Sequence, residues 1–180
     1  MKKKPDPKEE KELIFNVVVP VFNSEKYIEK CLRSIINQKY KRFQVQVVDD
    51  CSCDSSYEIA SSICKDNKNI KIFRNNKRIG ALNNICNLLT NEIKEPTKTV
   101  DLIVDGDDYL YNSNVFNILK EKYNQTNCLI TYGSHLSSNG VQGKKYPRLI
   151  REFNLFRKYF WYASHLKTFR HDLWLAINQE

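Results

Sequence analysis

An apolar stretch of this 180-residue chain ends in the acidic run Asp105 to Asp108, which is interrupted only by Gly106. Carboxylates a few ångström apart repel one another, so they take up a proton or share a cation. An all-oxygen cluster suits a hard ion such as Mg²⁺ or Mn²⁺. Gly106 leaves room for a tight turn and for a closely approaching ligand. An ordinary Asx-rich turn after a strand is the alternative, and the run alone does not decide between the two.

Two further polar turns follow apolar runs nearer the start of the chain. The β-branched run 14–21 leads into the turn Pro20–Asn23, and the run 43–48 leads into Asp49–Asp50. Strands alternating with helices predict parallel βαβ units, whose strands end at a common edge of the sheet. We therefore expect these two turns and the acidic run to face one crevice.

The spacing of apolar residues predicts the elements that position these turns. Continuous or β-branched runs indicate strands, and apolar residues three or four positions apart indicate helices. The resulting fold class is α/β, with one mostly parallel sheet flanked by helices in a single domain. After residue 132 the alternation of predicted strands and helices is less regular. Predicted strands are 14–21, 43–48, 70–73, 100–104 and 128–132, and predicted helices are 24–38, 55–67, 82–89 and 113–123.

Composition limits the class of protein. A hydrophobic fraction of 41% with 12% aromatic residues is typical of a folded chain, and its length suits one domain. No apolar run approaches the ~20 residues that span a bilayer. Residues 1–12 are Lys-rich and interrupted by acids, so they lack the apolar core of a secretory signal. They predict a mobile tail. We therefore expect a cytoplasmic protein without a transmembrane segment. The six cysteines include no CxxC pair, so neither a disulfide framework nor a zinc site is indicated.

Positive charge is concentrated towards the end of the chain. The formal net charge is +8, and residues 144–172 contain eight Lys or Arg residues against two acids. Such a segment can be solvated surface, or it can bind a diphosphate, a nucleic acid or an anionic membrane. Nucleic-acid binding is disfavoured because no recognised nucleic-acid motif accompanies the charge.

Motifs that are missing from the chain exclude some classes of ligand for the crevice. There is no GxxxxGK[ST] phosphate loop and no GxGxxG turn after the first strand, which argues against common nucleotide triphosphatases and dehydrogenases. Phosphate is then expected to be held by a metal ion and side chains. Asp50 could accept a hydrogen bond from a base N–H, and Phe22 offers a flat face for the same ring. Together with a cation at the acidic run, these residues describe a nucleoside-diphosphate site.

Four segments, taken in order, carry a resemblance to a known family: VVVPVFN, VVDDCSCDSS, RIGALNN and LIVDGDDYL. They resemble the VVIPxYN, IVDDGSTDxS, NxGxxxARN and LDxDD motifs of family 2 glycosyltransferases, which have the GT-A fold. The resemblance covers residues 14–132 well and residues 161–169 less closely, the latter being similar to an acceptor-side segment. It implies a donor-binding domain over 13–133, after a tail over 1–12, and a basic, incomplete acceptor-side segment over 134–180.

The resemblance also implies roles for residues of the crevice. Pro20 and Phe22 match residues that flank the nucleotide base, and Asp50 matches the acid that contacts the uracil N3–H of a UDP-sugar. Asp105 and Asp107 match the outer acids of the DxD motif, which hold ribose and a Mn²⁺ or Mg²⁺ ion. The remaining implied residues are Asp108 as a further metal ligand, with Asn23, Arg78, Gly80 and Asn84 around the donor.

The chain has Cys51-Ser52-Cys53 where the family has GST. The more serious departure from the family concerns the catalytic base. Family 2 enzymes invert the anomeric centre, and an Asp or Glu beyond the segment resembled by 164–169 deprotonates the acceptor. Asp172 and His165 are only weak candidates here, and the acceptor (glycan, protein or lipid) is not indicated. We therefore also consider a nucleotide-sugar-binding protein, or a half-enzyme completed by another chain. A polymerase palm with the same acidic turn is disfavoured because 180 residues cannot supply fingers and thumb.

Overall fold

A computed structural model describes residues 12–91, 93–137, 139–143, 152 and 164–177, so the predicted tail lies almost wholly outside it. None of the helices in the described ranges is long and apolar enough to cross a membrane. The strands are β1 (Ile14–Val21), β2 (Phe43–Asp49), β3 (Ile70–Arg74), β4 (Thr99–Ile103), β5 (Ile130–Gly133) and β6 (Ser164–Arg170). The helices are α1 (Ile28–Ile36), α2 (Ser56–Lys65), α3 (Ala81–Leu89), α4 (Val115–Thr126) and α5 (His171–Ala176), with a 3₁₀ turn over Pro96–Lys98.

The described strands form one six-stranded sheet in the order β3-β2-β1-β4-β6-β5. β1 pairs in parallel with both β2 and β4, and β3 pairs in parallel with β2. β6 runs antiparallel to its neighbours β4 and β5. The predicted α/β architecture with a mostly parallel sheet is confirmed, and β6 is the antiparallel exception.

The two faces of the sheet are packed against different helices. Successive side chains of a strand point to opposite faces, so Val17 and Val19 enter one core while Val18 enters the other. The larger core includes buried residues of α1, α2 and α4, such as Leu32 and Phe116. The smaller core is formed with α3 and α5. Helices on both faces explain why the central strands β1, β2 and β4 are almost entirely buried.

A chain of buried polar side chains interrupts the smaller core. Asn16 Nδ2 donates to Asp101 Oδ1 at 2.7 Å, and Asp101 Oδ2 lies 2.8 Å from His171 Nδ1. Asn16 Oδ1 in turn accepts a hydrogen bond from Gln46 Nε2 at 2.9 Å. Burial raises the pKa of Asp101 above its ordinary value. These bonds join β2, β1, β4 and α5 through groups that are satisfied only when all four elements are in place.

Strand β6 belongs to the predicted acceptor-side segment, yet it lies inside the sheet of the predicted donor domain. Its buried face carries Thr168, whose Oγ1 lies 2.7 Å from the Tyr123 hydroxyl and 2.6 Å from Thr131 Oγ1. Arg170 Nε donates to the Cys128 carbonyl at 3.1 Å. Strand β6 of the segment 134–180 therefore shares one sheet with the strands of 13–133.

Candidate functional site

Three polar turns meet at the edge of the sheet where β1, β2 and β4 end. The Asp50 N–H donates to the Val21 carbonyl at 2.8 Å, and the Gly106 N–H donates to the Pro20 carbonyl at 3.1 Å. The turns after β2 and β4 are therefore bonded to consecutive residues of β1, one on each side of it. The turns are far apart in sequence, but parallel pairing of their strands brings them to one rim of the sheet, as expected from the strand pattern.

Gly106 lies close against the end of β1. A Cβ atom at this position would lie 3.1 Å from the Pro20 carbonyl oxygen and 3.2 Å from Val21 Cγ2. Both distances are shorter than ordinary van der Waals contacts, and one of the partners is backbone. The glycine therefore lets the acidic turn pack directly against the end of β1.

The acids of this turn differ in exposure: Asp107 is exposed, whereas Asp105 and Asp108 are half-buried. The Asp108 N–H donates to the Asp105 carbonyl at 2.9 Å, which closes the turn. Burial, together with the charges of the three acids, raises the pKa of the Cys31 thiol beneath them. Burial is the larger cause of this raised pKa, and the smaller contribution of the three acids indicates a negative potential at this corner, which favours a bound cation.

The acids do not form a ready-made cage for a metal. Among the described residues, no three His, Cys, Asp or Glu side chains converge on a common point. Mg²⁺ usually binds one or two carboxylates and completes its shell with water and substrate phosphate, so two acids of this turn are a sufficient protein contribution. The residues fit such an ion, and the assignment of Asp105, Asp107 and Asp108 as its ligands stays a prediction.

Asp50 is buried and accepts hydrogen bonds from the protein itself. Its Oδ1 accepts from Asn75 Nδ2 at 2.8 Å and from the Ile79 N–H at 2.9 Å, and its Oδ2 accepts from the Gly80 N–H at 2.8 Å. Burial alone would raise the pKa of Asp50, but these bonds and the nearby Asn84 amide outweigh it and lower the pKa to about 2. Each carboxylate oxygen has two acceptor positions, so Oδ2 can still accept from a base N–H.

Gly80 and Asn84 therefore lie in one network with Asp50. Gly80 has φ 90° and ψ 152°, a backbone conformation open essentially to glycine alone, and it begins α3. The buried Asn84 accepts a hydrogen bond from Asn75 Nδ2 at 2.7 Å through its Oδ1. Sequence analysis did not single out Asn75, although an asparagine between a strand and a glycine turn is a typical signal of side-chain bonding to a loop.

Phe22 and Arg78 lie together although 56 positions separate them in the chain. The Arg78 guanidinium carbon is 3.9 Å from the centre of the Phe22 ring, which is a stacked cation–π contact. Phe22 is half-buried and Arg78 is exposed. The predicted base-stacking residue and the predicted diphosphate-binding residue are thus neighbours.

Asn23 joins the turns after β1 and β2 through two hydrogen bonds. The Asn23 N–H donates to Ser52 Oγ at 3.0 Å, and Asn23 Oδ1 accepts from the Cys53 N–H at 3.0 Å. Cys51 has φ 63°, the left-handed conformation that favours glycine, at the position where the family motif has glycine. Cysteine in place of the motif's glycine therefore adopts this conformation at a cost in backbone strain.

The two weak candidates for the base lie at opposite edges of the sheet. Lys167 of β6 pairs with Ile103 and Arg170 pairs with Val100, so β6 starts near the carboxyl end of β4 and finishes near its amino end. Asp172, just after β6, is consequently at the edge remote from Asp105, which disfavours it as a base. The backbone of His165 lies at the donor edge, and its side chain is outside the described residues. Residues 161–163 of the resembled acceptor-side segment are also outside them.

The sheet order and the antiparallel β6 are those of a GT-A type of fold. The sequence profile of Glycosyl transferase family 2 matches residues 16–178, almost the whole chain. The chain belongs to this family.

Curated relatives share part of their length with this chain. Glycosyltransferase GlyA of Streptococcus pneumoniae is 33% identical over 137 residues, which are 74% of this chain and 18% of that protein. The poly(ribitol-phosphate) beta-N-acetylglucosaminyltransferase TarS of Staphylococcus aureus is 35% identical over 98 residues, 53% of this chain and 16% of TarS. The chain thus spans less than a fifth of each of these two relatives.

Solved structures support the fold assignment. The crystal structure of S. aureus TarS 1–349 in complex with UDP-GlcNAc has a TM-score of 0.68 at 24% identity, covering 89% of this chain and 46% of that one. A mannosyltransferase of Pyrobaculum calidifontis in complex with GDP-Man and Mn²⁺ has a TM-score of 0.64 at 19% identity, with coverages of 96% and 49%. At these identities the likeness establishes the fold.

Proposed function

We propose that the chain binds a UDP-sugar and transfers the sugar, with inversion, to an acceptor hydroxyl. The observation that carries the proposal is the pair of hydrogen bonds joining Asp50 and Gly106 to consecutive residues of β1, since they bring the two acidic turns to one rim. Support comes from family membership and from a similarly folded transferase in complex with UDP-GlcNAc. The proposal keeps the cytoplasmic location expected from the sequence.

In this proposal each turn contacts a different part of the donor. Phe22 packs against the uracil ring, and Asp50 Oδ2 accepts its N3–H. Arg78 leaves the Phe22 face to pair with the diphosphate, because a guanidinium binds phosphate more strongly than it binds an aromatic face. Asp105 contacts the ribose.

A divalent ion held by Asp107 and Asp108 would supply Lewis-acid stabilisation of the negative charge on the diphosphate. The protein's own contribution is to fix these acids beside the donor site, since Gly106 packs their turn against β1. Preorganised charge of this kind needs no rearrangement during the reaction.

The transfer itself requires a base that removes the acceptor proton while its oxygen attacks the anomeric carbon and UDP departs. General-base catalysis contributes typically about 10²- to 10⁴-fold in rate. The position of Asp172 at the opposite edge of the sheet favours a second candidate function, donor binding by a chain whose base comes from elsewhere. Binding and turnover must therefore be measured separately.

Calorimetric titration with UDP, with and without Mn²⁺, tests the proposed donor site. We expect Mn²⁺ to strengthen UDP binding, and Asp107→Ala to remove that strengthening without changing the fold, because Asp107 is exposed. Asp66→Ala removes an exposed acid at the far end of α2 and is the matched control. Unchanged metal dependence in Asp107→Ala would contradict the assignment of this turn.

Measuring UDP release from UDP-GlcNAc separates the two candidate functions. Metal-dependent UDP release supports the transferase. Metal-dependent binding without release supports the binding protein or half-enzyme. Absence of UDP binding in a folded chain would contradict both.

A further inference from the structure

A second concave surface lies on the outer side of α1, beside the turn that follows Asp108. It is a groove of about 510 Å³ between α1 and residues 109–111. We call it the α1 groove. Its lining includes Lys26, Glu29, Lys30, Arg33, Tyr109 and Tyr111.

One wall of the α1 groove is fixed to the helix by hydrogen bonds. The Leu110 N–H donates to Ser34 Oγ at 3.0 Å, and Gln38 Nε2 donates to the Asn112 carbonyl at 2.6 Å. Ser34 lies within α1 and Gln38 lies two residues beyond its end. The segment that carries the two tyrosines is therefore held along the helix, and it continues directly from the acidic turn.

The chemistry of the groove is cationic and aromatic. Lys26, Lys30 and Arg33 are exposed and four and three positions apart, so they share one side of the helix and the turn before it. Glu29 offsets one positive charge through its contact with Arg33 Nε at 2.8 Å, which leaves an excess of two. Lys30 Nζ lies 3.6 Å from the centre of the Tyr109 ring.

The tyrosines provide the apolar part of the surface. Tyr109 is 47% exposed and Tyr111 is 77% exposed, which is high for aromatic rings that line a concave surface. An aromatic ring beside ammonium and guanidinium groups fits a ligand that alternates a carbon skeleton with anionic groups. A neutral glycan would use the rings but would gain nothing from the two excess positive charges of the groove.

We propose that the α1 groove binds the acceptor, and that this acceptor is a phosphodiester-linked polyol chain. The inference rests on the proposed function, because it places the acceptor beside Asp107 and Asp108. Phosphodiester groups pair with Lys26, Lys30 and Arg33, and the polyol carbons pack on Tyr109 and Tyr111. Tyr109 is bonded directly to Asp108 in the chain, so a polyol hydroxyl held here lies next to the donor turn.

The test uses a fluorescent oligomer of poly(ribitol phosphate) and measures its binding to the 180-residue chain by anisotropy. The variant Lys26→Gln/Lys30→Gln/Arg33→Gln removes the cations of the groove. The matched control Lys65→Gln/Lys68→Gln/Lys71→Gln removes three exposed lysines around the end of α2 and β3. Circular dichroism and UDP affinity check the fold of each variant.

We expect the groove variant to bind the oligomer at least tenfold more weakly and the control variant to change by less than twofold. Higher salt should weaken wild-type binding, since ionic contacts are screened. Tyr111→Ala should weaken binding about threefold. UDP affinity should be unchanged in every variant, because none of these residues belongs to the proposed donor site.

Three results would overturn the inference. The wild-type chain could fail to bind the oligomer while still binding UDP. The control variant could weaken binding as much as the groove variant, which would indicate diffuse attraction to positive charge. A single-stranded oligonucleotide of equal charge could bind as tightly, which would indicate a general polyanion or nucleic-acid surface. Failure of the wild-type chain to bind UDP is a different signal and counts against the proposed function.

Discussion

The two acidic turns at the rim of the sheet contain the same type of residue in different surroundings. After β2, Asp50 is buried and accepts three hydrogen bonds from Asn75 and the backbone of residues 79–80. After β4, Asp107 is exposed and its turn is positioned mainly by backbone contacts of Gly106. The first turn is built around its carboxylate, whereas the second presents its carboxylate to solvent.

This difference separates the residues that build the site from those that are available to a ligand. A buried carboxylate with several N–H partners is a structural anchor, even when it retains one acceptor position for a base. An exposed carboxylate on a fixed backbone costs the fold little and can bind a cation. The same substitution in the two turns should therefore affect stability in one case and ligand binding in the other.

The largest expected effect on stability comes from Asp50→Asn. The NH₂ group of the new asparagine would face at least one N–H that now donates to a carboxylate oxygen. That buried N–H would lose its acceptor, and the loss of a hydrogen bond to a charged group costs about 3 kcal/mol. Asp107→Asn makes the same chemical change in the exposed turn and should cost less than about 0.5 kcal/mol. Urea denaturation of both variants measures the contrast, and equal losses would refute it.

The pH dependence of stability gives an independent measurement of the Asp50 anchor. Its pKa is lowered from 3.8 to about 2, so the folded state prefers the carboxylate. The resulting stabilisation, about 2 kcal/mol, is present above pH about 4 and is lost as the pH falls towards 2. About half should be gone at pH about 3. The free-energy gap between wild type and Asp50→Asn should narrow accordingly, and a pH-independent gap would argue against this anchor.

Gly80→Ala tests whether the turn bonded to Asp50 is as constrained as its backbone indicates. No neighbouring atom would touch the new methyl group, so any loss comes from the backbone conformation alone. We expect a loss of about 2 kcal/mol in the free energy of unfolding. Leu82→Ala, at a 74% exposed position of the same helix, is the control and should cost far less.

Cys51→Gly should produce the smallest effect, and in the opposite direction. Glycine relieves the strain of a positive φ but gives up chain entropy on folding, so we expect a gain of about 0.5 kcal/mol. The midpoint temperature of thermal unfolding should rise by about 1 to 2 °C for a chain of this size. Cys53→Gly is the control, since Cys53 is not among the described residues with positive φ. A loss of stability in Cys51→Gly would show that its φ carries no strain.

Much of the fold follows from the pattern of apolar residues. The bounds of β1 to β5 agree with the sequence prediction to within two residues. Burial on both faces explains the β-branched and aliphatic residues of the central strands β1, β2 and β4. β6 was not predicted as a strand, since its buried face carries Thr168 and Arg170, whose partners are hydrogen-bonding groups of other elements. Polar burial of this kind leaves no hydrophobic period to detect.

The site is predictable in position and less so in detail. Parallel pairing was sufficient to expect the turns of Asp50 and Asp107 on one rim. The partners of Asp50 lie 25 to 30 positions further along the chain, so no local pattern indicates that its oxygens are already bonded. The contact of Arg78 with Phe22 depends on the path of a loop, which spacing does not specify.

The loop after β2, which is hydrogen-bonded to Asn23, also carries an accessible thiol. Cys53 is exposed on that loop, whereas Cys31 and Cys64 are buried, and burial raises the pKa of both, that of Cys64 to about 11. Maleimide reagents attack the thiolate, so they should modify Cys53 well before either buried cysteine. A dye attached there would sit one short turn from Asp50 and could report ligand binding through its fluorescence.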